Sequence, residues 1–224
     1  MKNLTLVIPA KNEKESLPHV INEIKHLKCK KMIILTSDDL DTINAIKNLD
    51  VQIIYQDNRG YGDAIISGIK SVDTEYFCIF NADGSFDPSE LSKMFLLLEK
   101  LNLDFVFASR YQKNSGSEDD TIVTLIGNKI FTLLGKIFFR LPITDILYTY
   151  VMGSTNKAMK LKLELKDFGF CVELPIKAKR MGMKIQSSNS FERKRIAGLK
   201  KVNAFKDGLL ILIHMIKLFF WKKK

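Results

Sequence analysis

The sequence predicts an α/β protein built on a mostly parallel central sheet with helices on both faces. Three observations carry that prediction. Short apolar runs alternate with stretches of helical periodicity through the first half of the 224-residue chain, the pattern of successive βα units. The run Tyr76-Phe-Cys-Ile-Phe80 is apolar or aromatic throughout, with no polar alternation, which suits a strand buried on both faces of a parallel sheet. That run breaks into a polar turn, Asn81 to Ser85, and open α/β sheets bind their ligands beyond the carboxyl ends of the strands.

In order, Leu4 to Ile8 reads as the first strand, with Pro9-Ala-Lys-Asn-Glu13 as the loop at its carboxyl end. Ser16 to His26 has helical spacing in Leu17, Val20, Ile21 and Ile24. Met32 to Leu35 is the second strand, and a run of capping residues, Ser37 to Asp41, opens a helix over Asp41 to Leu49. Val51 to Tyr55 is the third strand. Asn58-Arg-Gly-Tyr-Gly-Asp-Ala64 then leads into a helix that carries Gly68. The fourth strand is the Tyr76 run, and its helix is expected over Pro88 to Leu101, with Asp87 as N-cap, Pro88 at N1 and Glu90 at N3 of a capping box. Asp104 to Ala108 is the fifth strand, ending in Ser109-Arg110-Tyr111.

The second half is less regular. Lys113 to Asp120 is a polar loop expected to be mobile. Ile122 to Phe139 is apolar and helical, and Pro142 to Met159 mixes turn and strand signals around Asp145 and Gly153. Cys171 to Arg180 reads as a helix, Met183 to Ser187 as a late strand, Phe191 to Lys201 as a basic loop, and the chain from Val202 to Trp221 as one helix. The domain division follows: residues 1–201 as the α/β domain, residues 202–224 as a C-terminal helix with a basic tail.

The net charge of +10 and pI near 9.4 ask for a negatively charged partner: nucleic acid, an anionic membrane surface or a phosphorylated substrate. Nucleic acid fits least, because the basic residues are spread and the Arg193–Lys201 cluster lacks interleaved aromatics. Cys29, Cys78 and Cys171 are odd in number and scattered in apolar surroundings, which argues for reduced thiols in a cytoplasmic setting. The N-terminal apolar run is too short for a signal-peptide core.

Asn81, Asp83 and Ser85 offer hard oxygen donors, the kind that suit Mg²⁺ or Mn²⁺ better than zinc. A strand-to-helix turn alone accounts for Asp83-Gly84 equally well. Asn58-Arg-Gly-Tyr-Gly is open to two readings as well, a phosphate loop before a helix or a tight turn needing positive φ. It lacks the third glycine of the dinucleotide fingerprint and the lysine of a P-loop.

The order of these signals is more specific than any one of them. With Val7-Ile-Pro-Ala-Lys-Asn-Glu13, Asn58-Arg-Gly-Tyr-Gly-Asp-Ala, Asn81-Ala-Asp-Gly-Ser, Ala108-Ser-Arg-Tyr, Gly127-Asn128, Thr144-Asp145, Glu173 and Arg195-Ile-Ala-Gly-Leu-Lys-Lys201, the chain resembles the family 2 glycosyltransferases of GT-A fold. Within them it resembles the polyprenyl-phosphate, dolichyl-phosphate mannose synthase-like group. The resemblance implies an inverting transfer of a sugar from a nucleotide-diphosphate sugar donor to a polyprenyl phosphate. Pro9, Lys11 and Glu13 would line the nucleotide pocket. Asn81, Ala82, Asp83 and Ser85 fall on the metal and diphosphate positions, and Arg110, Arg195 and Lys201 on basic positions that hold phosphate. A phosphate acceptor is already an anion and needs no strong base; if one is needed, Asp145 is the candidate. The sequence departs from the family at the end of strand two, where Thr36 and Ser37 replace acids, at Asn81, which replaces the first metal-motif acid, and at Lys200, which stands where a serine is usual.

The last helix, Leu209 to Trp221, is apolar apart from His214 and Lys217, and three lysines follow it. It is short of the roughly 20 residues a crossing helix needs and suits the interface of an anionic membrane, with the Ile122–Phe139 segment adding to that surface. Core packing, or a seam for a partner subunit, is the alternative. The expected location is therefore peripheral, at the cytoplasmic face of the membrane. Transfer to a sugar hydroxyl in glycan synthesis is the competing activity, and a membrane-associated scaffold that has lost catalysis the competing class.

Overall fold

The computed structural model describes residues 1–198 and 203–222. Its elements are β1 (Leu4–Pro9), α1 (Leu17–Ile24), β2 (Lys30–Leu35), α2 (Leu40–Ile46), β3 (Gln52–Tyr55), α3 (Tyr61–Ser71), β4 (Tyr76–Ile79), α4 (Glu90–Lys100), β5 (Phe105–Ser109), β6 (Gly116–Ser117), α5 (Ile122–Phe139), β7 (Val151–Ser154), α6 (Thr155–Lys160), α7 (Phe170–Arg180), β8 (Ile185–Asn189), β9 (Phe191–Glu192) and α8 (Ala204–Phe220). Seven strands form one sheet in the order β3-β2-β1-β4-β7-β5-β8, and β6 pairs with β9 in a second. Within the large sheet only β7 runs antiparallel to its neighbours β4 and β5. The mostly parallel sheet that the apolar runs predict is the one observed.

Both faces of the sheet are covered, and the strands alternate between two cores. On β1, Leu4, Leu6 and Ile8 enter one core with Leu17, Val20 and Leu91 from α1 and α4, while Val7 enters the other with Ile65, Ile69 and Val172 from α3 and α7. Successive side chains of a strand point to opposite faces, so a run apolar at every position is what two covered faces require.

Local capping deviates from expectation at α4. The helix begins at Glu90, with Ser89 at its N-cap position and no side-chain cap. Asp87 Oδ1 instead accepts from the Ser89 amide at 2.8 Å, and Glu90 Oε1 accepts from the Phe191 amide at 2.8 Å. Asp87 therefore closes a turn ahead of the helix, and β9 recruits the acid that a capping box would have used. The Lys113–Asp120 loop is also not free. Its residues 116 and 117 pair with Phe191 and Glu192, the Glu118 amide donates to the Glu192 carbonyl at 2.9 Å, and Glu118 Oε2 accepts from the Lys194 amide at 3.1 Å. Asp39, inside the expected capping run, does cap α2.

A buried ion pair ties α7 to the 162–165 segment. Glu173 and Lys177, one turn apart on α7, meet at 2.6 Å with side chains only 2% exposed. Glu173 also accepts from the Glu164 and Leu165 amides at 2.9–3.0 Å, and Lys177 donates to the Lys162 carbonyl at 2.8 Å beneath the Trp221 ring. Desolvated charges persist only when every partner is in place. Glu173→Ala is therefore expected to destabilise the protein by about 3–5 kcal/mol. Glu164→Ala removes only a 3.8 Å, mostly exposed contact with the same lysine and should stay within about 0.5 kcal/mol of wild type. Urea unfolding of the two variants checks the difference.

Candidate active site

Five loops at the carboxyl ends of β1 to β5 open onto one cleft of about 650 Å³. The first is held from behind: Asn12, at φ 52°, donates its amide to Asp39 Oδ2 at 2.7 Å, and the Glu13 amide donates to Thr42 Oγ1 at 2.9 Å. Pro9, Lys11 and Glu13 face the cleft from this loop. Thr36, Asp38 and Asp39 line it after β2. Positions 36 and 37 lack acids, but Asp38 and Asp39, directly after them, line the cleft. The Thr36 hydroxyl, with Arg59 adding to it, holds the Asp38 carboxyl below its ordinary range. Asp38 and Asp39 were legible only as capping residues, which is what Asp39 also is.

Gly60 begins α3 with φ 143°. A Cβ there would stand 2.1 Å from the Lys166 carbonyl oxygen, and the Asp63 amide donates to that same oxygen at 3.0 Å. The glycine is needed for the close passage of the 165–167 chain.

After β4, Asp83 is held by its own turn. Its Oδ1 accepts from the Ser85 amide at 3.0 Å and from the Ser85 hydroxyl at 2.7 Å, and Asn81 Nδ2 donates to that hydroxyl at 3.3 Å. Ser85 is 1% exposed, so its hydroxyl orients Asp83. Arg195 Nη2 lies 3.8 Å from Asp83 Oδ2 and 3.1 Å from Asp119 Oδ2. Asn81, Ala82, Asp83, Ser85 and Arg195 all line the cleft. Among the described residues no group of three His, Cys, Asp or Glu could hold a metal ion. Asp83 is the one acid of the Asn81-Asp83-Ser85 set, and Asn81 and Ser85 would add only neutral oxygens to it.

After β5, Arg110 lines the cleft but is itself buried. It donates to Asp145 from Nε at 2.7 Å and from Nη2 at 3.1 Å, and from Nη1 to Glu192 at 3.1 Å and Asp120 at 3.4 Å. Its guanidinium stacks 4.6 Å over the Tyr148 ring. Burial works against the Arg110 charge, yet Asp145 and then Glu192 outweigh it and raise its pKa well above the usual value. Asp145 is fully buried behind Arg110, with both oxygens bonded to it, and does not line the cleft. The carboxylates that do line it here are Asp119, Asp120 and Glu192, which sequence reading did not single out. Lys201 lies outside the described residues.

The far end of the cleft is walled by helices: Thr124 and Asn128 from α5, Cys171 from α7 and Ile211 from α8. Burial pushes the Cys171 thiol up to about 12, so it stays protonated. His19 and His26 are exposed, and His214 Nε2 pairs with Asp167 Oδ2 at 3.0 Å outside the cleft lining.

A family model described as Glycosyl transferase family 2 matches residues 5–162. The chain is 27% identical over 221 residues to an uncharacterized glycosyltransferase of Mycobacterium tuberculosis, covering 98% of this chain and 96% of that one. It is 26% identical over 200 residues to an undecaprenyl-phosphate mannosyltransferase of Micrococcus luteus, covering 83% and 81%. In fold it is similar to the crystal structure of glucosyl-3-phosphoglycerate synthase from Mycobacterium tuberculosis in complex with Mn²⁺ and uridine-diphosphate-glucose, with a TM-score of 0.72 at 14% identity over 99% of this chain and 80% of that one. With a match that runs from β1 past α6, and with the sheet and cleft of the GT-A fold, the chain belongs to glycosyl transferase family 2 and is a glycosyltransferase.

Proposed function

We propose that the protein transfers a sugar, with inversion, from a nucleoside-diphosphate donor onto a polyprenyl phosphate, working peripherally at the cytoplasmic face of an anionic membrane. The observation that carries this reading is the wall of the cleft opposite the Asp83 turn. Thr124, Asn128 and Ile211 reach the cleft from α5 and α8, and the outward faces of these two helices are apolar. Ile126, Ile130, Leu133, Ile137 and Phe138 on α5, and Leu209, Ile216 and Phe220 on α8, are each more than half exposed. A contiguous apolar surface on a charged protein marks a membrane or partner site. Neither α5 nor the described part of α8 carries an acid other than Asp207, whereas Lys129, Lys136, Lys206, Lys217 and Lys222 are exposed around them, which suits anionic headgroups.

Each helix also buries one stripe, Asn128, Thr132, Gly135 and Phe139 on α5 and Ile211, His214, Met215 and Leu218 on α8. By length and composition α5 is a candidate membrane span; its buried stripe supports a helix lying along the domain. The C-terminal helix is thus core on one face and open on the other. The relative that acts on undecaprenyl phosphate supports a lipid acceptor.

The donor side of the proposal rests on Asp83, Arg195 and the loops after β1 and β2. Hard oxygen donors around Asp83 fit Mg²⁺ or Mn²⁺, and the Mn²⁺ and UDP-glucose in the structurally similar synthase support the same pair. When bound, the ion would neutralise charge on the departing nucleoside diphosphate. Arg195 supplies fixed positive charge to that leaving group. Arg110 lines the cleft, but its fork is already taken up by Asp145, Asp120 and Glu192, so it acts in this reading by holding that end of the cleft together. A phosphate oxygen attacks the anomeric carbon as the bond to the diphosphate breaks, and no proton has to be removed. The second reading, transfer to a sugar hydroxyl, is favoured by one observation: Asp119, Asp120 and Glu192 put carboxylates on the cleft, where a hydroxyl would need a base.

Two measurements test the proposal. Asp83→Asn keeps an acceptor for Ser85 and removes the charge, so it should weaken Mn²⁺-dependent UDP or GDP binding by about tenfold or more while leaving the fold intact; calorimetric affinities equal to wild type would remove Asp83 from the donor site. The membrane surface is tested with Ile130→Gln, Leu133→Gln and Phe220→Gln combined, because truncating α8 would also strip Ile211, Met215 and Leu218 from the core. The triple variant should stay in the supernatant with anionic vesicles that pellet wild type at low salt, and bind nucleotide unchanged. Equal pelleting of both proteins would count against a membrane-seated acceptor.

A further inference from the structure

Arg193 lies two residues before the arginine that approaches Asp83, yet it does not line the cleft. Its guanidinium meets both carboxylate oxygens of Glu23 on α1, at 2.7 and 3.0 Å, and donates to the carbonyls of Gly84 and Phe86 at 2.9 and 2.8 Å. The main chain makes the same connection. The Arg193 amide donates to the Ser85 carbonyl and the Ile196 amide to the Asp83 carbonyl, both at 2.8 Å. Ile196 closes the arrangement from above: Gly84 sits at φ 83°, and a Cβ there would stand 2.5 Å from Ile196 Cδ1. The 193–196 strip is therefore bonded along the 83–86 turn at both ends. Arg195 lies between those ends, 3.8 Å from Asp83.

We propose that Arg193, locked by Glu23, is a positioning residue of the donor site: the pair fixes the register of the 193–196 strip on the 83–86 turn and so sets the separation of Arg195 from Asp83. It rests on the reading of Asp83 and Arg195 as the groups that face metal and diphosphate. Neither Arg193 nor Glu23 contacts the cleft, so the effect runs through the main chain. Arginine is the residue this needs. Its planar guanidinium faces a carboxylate and two carbonyls at once, with the two Nη2 hydrogens shared among three acceptors and Nε left without one. A lysine would keep the charge and lose the fork. Glu23 brings the far anchor, a helix packed in the core through Leu17, Val20, Ile21 and Ile24, so the turn is referenced to a rigid element.

The experiment compares wild type with Arg193→Lys and Glu23→Gln for binding of UDP and GDP with Mn²⁺ by calorimetry, alongside urea unfolding. Both variants should raise Kd by about tenfold and raise in parallel the Mn²⁺ concentration that half-saturates binding. The urea midpoints should stay close to wild type, because the pair is about a third exposed and such pairs add little to stability. Glu23→Asp, which retains the charge, should recover part of the affinity. A merely structural pair would lower the urea midpoint and leave the affinity of the folded protein unchanged; that result, or unchanged affinity in both variants, overturns the assignment. The two proposals fail separately. Affinity lost in Asp83→Asn but kept in Arg193→Lys and Glu23→Gln leaves the donor site standing and removes this inference, whereas a wild type with no Mn²⁺-dependent affinity for either nucleotide removes both.

Discussion

A guanidinium buried at the carboxyl end of the sheet has to be surrounded by carboxylates, because an unpaired charge there would cost several kcal/mol in lost hydration. Arg110 meets that demand with acids from three other segments: Asp145 ahead of β7, Asp120 just before α5, and Glu192 in β9. One side chain therefore ties the end of β5 to the β6–β9 pair and to the helix that walls the cleft. Asp120 extends the connection, accepting from Tyr111 at 2.7 Å and from Thr124 at 3.0 Å. Asn128 completes it by donating to the Tyr111 hydroxyl at 2.9 Å. With Arg110 so occupied, Arg195, which is 21% exposed on its side chain, is the more accessible of the two arginines. Of the two, Arg195 is therefore the better placed to meet a ligand in the cleft.

The strands were legible because burial on two faces leaves an unbroken apolar run, and the loop residues because each run stops at a polar cluster. Pro9, Lys11, Glu13, Asn81, Asp83, Arg110 and Arg195 reach one cleft for that reason. The readings that failed depend on partners far away in sequence. Glu90 leaves its helix end for an amide 101 residues on. The Lys113–Asp120 loop looks mobile by composition and is fastened by a strand of two residues that no periodicity can announce. The antiparallel β7 falls within Pro142–Met159, a stretch whose mixed turn and strand signals fixed no direction. Asp38 and Asp39 were hidden by serving a second, local purpose that the sequence states more loudly.

The helices α5 and α8 raise a different difficulty. Helical periodicity distinguishes an apolar stripe from a polar one, but these segments are apolar nearly all round. Such a pattern suits a helix enclosed in a core and equally one held between a core and a lipid interface. Only the packing separates the cases. The stripe through Asn128, Thr132, Gly135 and Phe139 is covered while Ile126, Ile130 and Leu133 are open, so each helix meets the protein on one side and leaves the other uncovered.

Charge placement gives the last step. The chain carries +10 overall, yet its cleft does not share that sign. Among the described residues, Glu13, Asp38, Asp39, Asp83, Asp119, Asp120 and Glu192 line it, against Lys11, Arg59, Arg110 and Arg195. A nucleoside diphosphate would enter a site that already holds more acid than base, which is unfavourable without added positive charge. On the proposed donor reading, a divalent ion beside Asp83 would supply that charge, in keeping with the oxygen donors of the turn. Many of the described lysines lie outside the cleft. Those around α5 and α8 flank the uncovered apolar faces, where positive charge and exposed hydrocarbon together fit an anionic bilayer surface. In the proposed reading, the basic composition would then serve a lipid-phosphate acceptor, and the metal would serve the donor.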